Sequence, residues 1–226
     1  MIAPQEVRQT TAWEMYRSIV GIGAFCALVI VIVFQGTAAR IHDNQERFLA
    51  AAIADVLPVA ERTVAIAIGG DGSLVAVDNV SQLPAFLAYD GSGALAGAAV
   101  AGEGMGYQDV IRVLYAYSFE KKSIVGFKIL ESKETPGLGD RVEVEPHFLA
   151  SFEALDATLD AGGRGLANPI VTVKQGEKTA PWQIDGITGA TITSEAIGNI
   201  LNSSAGIWVP VLERDAESVG ARGAEE

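Results

Sequence analysis

Between Arg17 and Arg40 the chain carries no charged residue. Residues 18–39 read SIVGIGAFCALVIVIVFQGTAA, 22 residues in all. As a helix rising 1.5 Å per residue, such a stretch reaches about 33 Å, enough to cross a hydrocarbon core of about 30 Å. Trp13 and Tyr16 precede it, where amphipathic aromatic rings favour the membrane interface. The stretch is expected to be a single transmembrane anchor. A buried core helix and a cleaved signal peptide are the rival readings, and the apolar region of a signal peptide runs only about 7–15 residues. Arg8 and Arg17 lie before the span and Arg40 and Arg47 soon after it, so the positive-inside count is a tie. A short tail left inside is the simpler topology. The expected order is a tail over 1–17, a transmembrane helix over 18–39, and an extracytoplasmic domain over 40–226.

Beyond the span, residues 40–57 are expected to continue as helix and to stop before Pro58. The pattern then changes to strands. Segments 63–68 and 74–77 flank Gly69-Gly70-Asp71-Gly72. Segments 85–89 and 94–100 flank Asp90-Gly91-Ser92-Gly93, and 110–119 and 124–130 flank Glu120-Lys121-Lys122-Ser123. Each is a hairpin signal, and hairpins pair antiparallel. Residues 146–159 predict an amphipathic helix, with Phe148, Leu149, Phe152, Leu155 and Leu159 near one face. Residues 170–173 predict a further strand. Residues 195–212 predict a helix whose end Pro210 disturbs, and 214–226 are expected to fray. The sum is an α+β domain, a twisted antiparallel sheet with packed helices, preceded by one transmembrane helix.

Composition removes several classes of function. The formal net charge is −12, and an acidic surface repels phosphate backbones, so nucleic acid is not an expected partner. Cys26 is the only cysteine, which rules out an intrachain disulfide. The only histidines, His42 and His147, are far apart in sequence. No metal site or iron–sulfur cluster built by this chain alone is expected. Redox chemistry here would need an organic cofactor.

Two segments carry the chemistry. The first is Asp185-Gly186-Ile187-Thr188-Gly189-Ala190-Thr191-Ile192-Thr193-Ser194. It is a glycine-bearing loop leading into a helix, with Thr188, Thr191, Thr193 and Ser194 crowding hydroxyls at the helix start. A helix N-terminus offers free N–H groups and the positive end of its dipole, which suits a phosphate. The same hydroxyls also suit plain helix capping. The second is Glu134-Thr135-Pro136-Gly137-Leu138-Gly139-Asp140, which by itself reads equally as a tight turn. A third stretch, Gly102-Glu103-Gly104-Met105-Gly106-Tyr107, reads as a link between strands.

The string from Asp185 to Thr191 resembles the Asp-Gly-x-[Ser/Thr]-Gly-Ala-Thr motif of a family of FMN-binding domains. These occur in the G subunit of the Rnf electron-transport complex and in the C subunit of the sodium-pumping NADH:quinone reductase. The stretch from Glu134 to Gly139 resembles the Glu-Thr-Pro-Gly-Leu-Gly loop of the same family, and the Gly139-Asp140 that follows Leu138 favours the Rnf protein. The resemblance implies FMN joined by a phosphoester bond to Thr191, with Thr188, Gly189, Ala190 and Ile192 around it. Glu134, Thr135, Pro136, Gly137, Leu138 and Gly139 would lie against the flavin, Leu138 on its face and Thr135 at its polar edge. Met105-Gly106 departs from the family's spacing before Tyr107, so Tyr107 either lies in a surface turn or stacks on the ring, and Lys133 faces charge on a reduced flavin or simply water. No histidine lies near Thr191 in sequence, so no catalytic residue is assigned; the family relies on a separate flavin transferase that uses FAD.

The resemblance therefore implies a subunit relaying electrons in an ion-translocating ferredoxin/NAD oxidoreductase, a redox part of a translocase without standalone activity. It would sit in the inner (cytoplasmic) membrane, single-pass, among lipid and the other subunits of the complex. The alternatives are the C subunit of the quinone reductase and a membrane-tethered binding module without a redox role.

Overall fold

The computed structural model describes residues 12–77 and 84–222. The chain divides into two compact units, Met1–Phe48 and Leu49–Glu226. Helix α1 runs Ala12–Val56 and includes the whole of 18–39. Its most apolar stretch has a mean hydropathy of 2.5 over 18 residues, and none of that stretch is buried. That excludes a core helix and leaves a helix long and apolar enough to cross a membrane. The helix stops one residue short of Leu57-Pro58, because the residue before a proline is pushed out of the helical region.

The second unit is built on a seven-stranded antiparallel sheet with the order β2-β1-β3-β4-β5-β6-β7. Its strands are β1 (Arg62–Ile68), β2 (Leu74–Ala76), β3 (Ala85–Tyr89), β4 (Leu95–Met105), β5 (Val110–Ser118), β6 (Ser123–Glu131) and β7 (Leu155–Asp156). All three expected hairpins form. The first two turns are closed by aspartate side chains: Asp71 Oδ1 accepts the Ser73 N–H (3.0 Å), and Asp90 Oδ1 accepts the N–H groups of Ser92 (2.8 Å) and Ala94 (3.0 Å), a role that short acidic side chains take in turns.

Both faces of the middle strands are buried, so β3 and β4 read as apolar runs. Alternate residues serve alternate faces. Phe86, Ala88, Ala99, Ala101, Leu114 and Ala116 pack with Ala52, Ile53 and Val56 at the end of α1. Leu87, Tyr89, Ala98, Val100, Val113, Tyr115 and Tyr117 form the other face. That face is covered by helix α3 (Thr191–Arg222) through Ile197, Leu201, Ala205, Val209, Leu212, Ala216 and Val219.

Four sequence expectations need correcting. The helix expected over 146–159 is only α2 (Pro146–Ala150). Phe148 and Phe152 are anchored against Phe127, with ring centroids 6.3 and 4.2 Å away. The chain then turns, because Leu155 and Asp156 pair with Ile124 and Ser123 at the sheet edge. Tertiary pairing overrides the local helical period. A strand not expected, β9 (Gln183–Asp185), pairs in parallel with β8 (Val171–Val173), so the strands do not all run antiparallel. Residues 102–105 are not a link but the end of β4, opposite Val110–Val113 of β5. A Cβ at Gly104 would lie 2.6 Å from Ile200 Cγ1, so the glycine lets α3 approach the strand.

The fourth correction concerns the C-terminal end. Helix α3 runs through Pro210 to Arg222, although proline removes one hydrogen bond of the helix ladder. The loss is tolerated because the helix stays buried on both sides of it. Ala216 is 2% exposed. Asp215 Oδ2 accepts the Leu74 N–H (3.0 Å), Arg214 donates to the Gly72 carbonyl (2.6 Å), and Tyr117 donates to Glu213 Oε1 (2.7 Å). Lys122 pairs with the same Glu213 carboxylate. Residues 223–226, also expected to fray, lie outside the described residues. Ala216→Asp is expected to lower stability by about 3–5 kcal/mol, as an unpaired buried charge does. Exposed Glu217→Ala should stay within about 0.5 kcal/mol of the wild type. Chemical denaturation of the detergent-solubilised full chain measures both, and an unchanged Ala216→Asp protein would mean that this segment does not pack.

Candidate cofactor-binding site

Three segments converge at one end of α3: the β4–β5 turn, the loop after β6, and the loop that leads into the helix. Glu134 joins them. It is 7% exposed. Its Oε1 accepts the Gln108 N–H (3.0 Å) from the first segment, and its Oε2 accepts the Thr193 hydroxyl (2.6 Å) from the helix. The glycines around it are a matter of space. A Cβ at Gly106 or at Gly139 would come within 2.5 Å of a Glu134 carboxylate oxygen. Thr135 donates its hydroxyl to Gln108 Oε1 (2.9 Å), which ties the first two segments again.

The loop before α3 is held at nearly every backbone group, including those of its buried residues Gly186, Ile187 and Ala190. The Asp185 N–H donates to Ser151 Oγ (3.1 Å), Gly186 N–H to the Val173 carbonyl (2.9 Å), Ile187 N–H to Ser194 Oγ (3.3 Å) and Thr188 N–H to Gln175 Oε1 (3.1 Å). Gly189 has φ +88°, a backbone region that side chains disfavour. Ile187 and Ala190 point inward, 1% and 5% exposed.

This packing sorts the hydroxyls. Thr193 is committed to Glu134, and Ser194 donates to the Ala190 carbonyl (2.9 Å). Thr188 is exposed but outside the cleft. Thr191, the first residue of α3, is exposed and faces the cleft, and its hydroxyl has no hydrogen-bond partner among the described residues. Beside it lie the first N–H groups of the helix, which have no intrahelical acceptor and sit at the positive end of the dipole.

The cleft has a volume of about 300 Å³, at the lower edge of the usual range for ligand pockets. Glu134, Thr135, Leu138 and Gly139 line it on one side, and Gly189, Ala190, Thr191 and Ile192 on the other. Tyr107 and Thr193 complete it. Three large apolar side chains at its mouth are open to solvent: Tyr107, Leu138 and Ile192 at 66%, 54% and 55% exposure. A helix start with open N–H groups, a free hydroxyl and exposed apolar walls suit a phosphate attached to a flat aromatic ring. Of the residues expected here, Pro136, Gly137 and Thr188 are not part of the lining. Gly137 closes the tip of its loop, φ +78°, with its N–H on Asp140 Oδ1 (2.7 Å). Lys133 is outside the cleft as well. It pairs with Asp109 (3.1 Å), whose hydrogen bond raises the lysine pKa.

Sequence reasoning missed the groups behind the loop. Arg141 Nη1 donates to the Thr188 carbonyl (2.8 Å), and His147 Nε2 lies 3.2 Å from the Gly186 carbonyl. Glu145 stands between them, 2.7 Å from Arg141 Nη2 and 3.2 Å from His147 Nδ1. The hydrogen bond from Arg141 is the main reason that the Glu145 carboxyl is held below its ordinary range. No local pattern marks these residues; they meet the loop only after the chain has crossed about 40 positions.

Comparison with known proteins agrees with this geometry. Residues 106–205 match the profile of the family described as FMN-binding domain, a range that contains both loops of the cleft. The G subunit of the ion-translocating oxidoreductase complex of Methanosarcina acetivorans is 28% identical over 187 residues, covering 83% of this chain and 89% of that protein. Its counterpart in Shewanella loihica is 27% identical over 195 residues, covering 79% and 81%. That of Pectobacterium atrosepticum is 31% identical over 126 residues, covering 52% and 51%. The crystal structure of the C subunit of the Na(+)-translocating NADH-quinone reductase from Parabacteroides distasonis superposes with a TM-score of 0.59 at 22% identity, over 76% of this chain and 96% of that one. That likeness establishes the shared α+β fold. Residues 106–205 thus match an FMN-binding domain, and the chain as a whole resembles the G subunits of the ion-translocating oxidoreductase complexes.

Proposed function

We propose that this chain carries FMN joined through its phosphate to Thr191, and that it relays electrons as a membrane-anchored subunit of an Rnf-type ferredoxin/NAD oxidoreductase. The observation that carries the reading is the fate of the hydroxyls. Thr193 and Ser194 are bonded inward, while Thr191 is open to the cleft at the positive end of α3. FMN, when bound, supplies the redox chemistry. The chain's own residues position and tether it. The N–H groups of the first helical turn receive the phosphate. Leu138, Tyr107 and Ile192 give the ring apolar walls. The loop containing Thr135, Pro136 and Gly137 holds the shape of the opposite side, and Thr188 shapes the turn before the attachment residue.

Attachment needs outside help. No histidine or carboxylate contacts the Thr191 hydroxyl among the described residues, and a threonine hydroxyl is a weak nucleophile without a base. The resemblance to the FMN-binding family implies that a separate flavin transferase acts on the folded domain with FAD as donor. The Thr191 oxygen bonds to the phosphorus of the FMN half, the bond between the two phosphates breaks, AMP leaves, and the transferase takes the hydroxyl proton. The apolar stretch 18–39 anchors the protein in the cytoplasmic membrane beside the other subunits and lipid. The short N-terminal tail stays inside and the domain from residue 40 onward lies on the extracytoplasmic side, a topology that the tied flanking charges do not oppose.

Three measurements test the reading. Thr191→Ala is expected to abolish flavin fluorescence that survives denaturation, and Thr188→Ala to keep it; flavin retained on Thr191→Ala would sink the attachment site. A reporter fused after Glu226 should be active outside the cytoplasm, and activity only inside would reverse the topology. Thr191→Ala costs at most a helix cap, about 1 kcal/mol, so the complex should assemble with its normal set of subunits while its ferredoxin- or NADH-driven turnover collapses. Normal turnover in that flavin-free complex would take the flavin off the electron path.

A further inference from the structure

The loop that presents Thr191 is held at two of its carbonyls by a group of three polar side chains outside both motifs. Arg141 and His147 each reach a carbonyl of the loop, those of Thr188 and Gly186, and the Glu145 carboxylate links the guanidinium to the imidazole. The two contacts differ in consequence. In a trans peptide the C=O and the following N–H point in opposite directions, and no peptide bond here is cis. Holding the Gly186 carbonyl turns the Ile187 N–H inward, where it finds Ser194 Oγ. Holding the Thr188 carbonyl turns the Gly189 N–H away from Arg141. That N–H has no protein acceptor among the described residues, and Gly189 lines the cleft. A Cβ at Gly189 would lie 3.7 Å from Arg141 Nη1, so the guanidinium lies against the turn at Gly189, two residues before Thr191.

We propose that Arg141, Glu145 and His147 form a positioning clamp for the modification of Thr191, with Arg141 as its decisive member. The clamp fixes the peptide between Thr188 and Gly189 so that its N–H faces the incoming phosphate, and it fixes the direction in which the Thr191 hydroxyl meets the phosphorus. These are positioning residues; none of them reacts. Arginine suits the task because its planar fork serves the Thr188 carbonyl and the Glu145 carboxylate at once, which a lysine ammonium does not do in a fixed geometry.

The proposal rests on covalent attachment at Thr191, and its test separates the two. The full chain is purified without flavin in detergent and loaded by purified flavin transferase with FAD and magnesium. Denaturation-resistant fluorescence is followed at several concentrations of the chain. For Arg141→Ala, kcat of loading is expected to fall about ten- to hundredfold with KM for the chain near that of the wild type. Arg141→Lys should recover part of the loss, and Lys174→Ala, an exposed lysine outside the clamp, none of the effect. A variant that is merely less folded behaves as a smaller amount of good substrate, so its loss appears in KM and vanishes at saturation. Glu145→Gln leaves Arg141 in place and decides the matter by the same criterion should Arg141→Ala unfold; it should show a smaller fall in kcat. Wild-type kcat in these variants, or a loss confined to KM, overturns the clamp. A wild-type chain that takes up no covalent flavin overturns the attachment reading and the clamp with it.

Discussion

A sheet with both faces buried needs two covers, and this chain draws one from the helix before the sheet and one from the helix after it. The strands β3, β4 and β5 present apolar residues on both sides. The end of α1 closes one side and α3 the other. Area removed from water at roughly 25 cal/mol per Å² is the dominant favourable term in such a core. The position of α3 is therefore dictated by burial along its whole length, from Ile197 to Val219. The place where α3 begins follows from that, and with it the place where a phosphate finds open N–H groups. The cleft is a by-product of covering the sheet.

Glu134 converts that placement into a defined site. A carboxylate this buried is costly unless its lone pairs are occupied. Its two bonds come from different segments, Gln108 and Thr193, so satisfying the charge means docking three pieces of chain around one point. The surrounding glycines are then a steric necessity, since the carboxylate fills the space that side chains at 106 and 139 would occupy. The motif residues near Glu134 shape the cleft less by touching a ligand than by making room for the group that assembles it.

Much of this was legible in the sequence, and the failures have physical causes. Two of the three hairpins announced themselves through Gly and Asp at their turns, the third through a polar Glu120-Lys121-Lys122-Ser123 between apolar runs, and the long uncharged run through its length. Both signals are local. The helix expected over 146–159 failed because Phe148, Phe152 and Leu155 have a helical period, yet Leu155 serves a sheet edge. The α3 helix outran its expected end because burial of Leu212, Ala216 and Val219 outweighs one proline. In the cleft, the two glycine-bearing loops were visible as motifs. The roles of individual hydroxyls were not, because Thr193 and Ser194 are removed from the ligand side only by partners at Glu134 and Ala190. Arg141, Glu145 and His147 carry no pattern at all, since their meaning lies in carbonyls of a distant loop.

The sheet is a meander in which nearly every strand pairs with its neighbour in sequence. Such pairings close short loops and form early. Helix α3 is different, since it follows all the strands of the sheet and seals a whole face. Synthesis runs from the N-terminus, so the strands are available long before their cover. Thr193 cannot dock on Glu134 until the helix forms, and the helix is held down as far as Val219. The order of birth along the chain thus sets a sequence of events. The sheet waits half-covered until α3 arrives, and the Thr191 hydroxyl comes to face the cleft only after the turns around Val219 have been made.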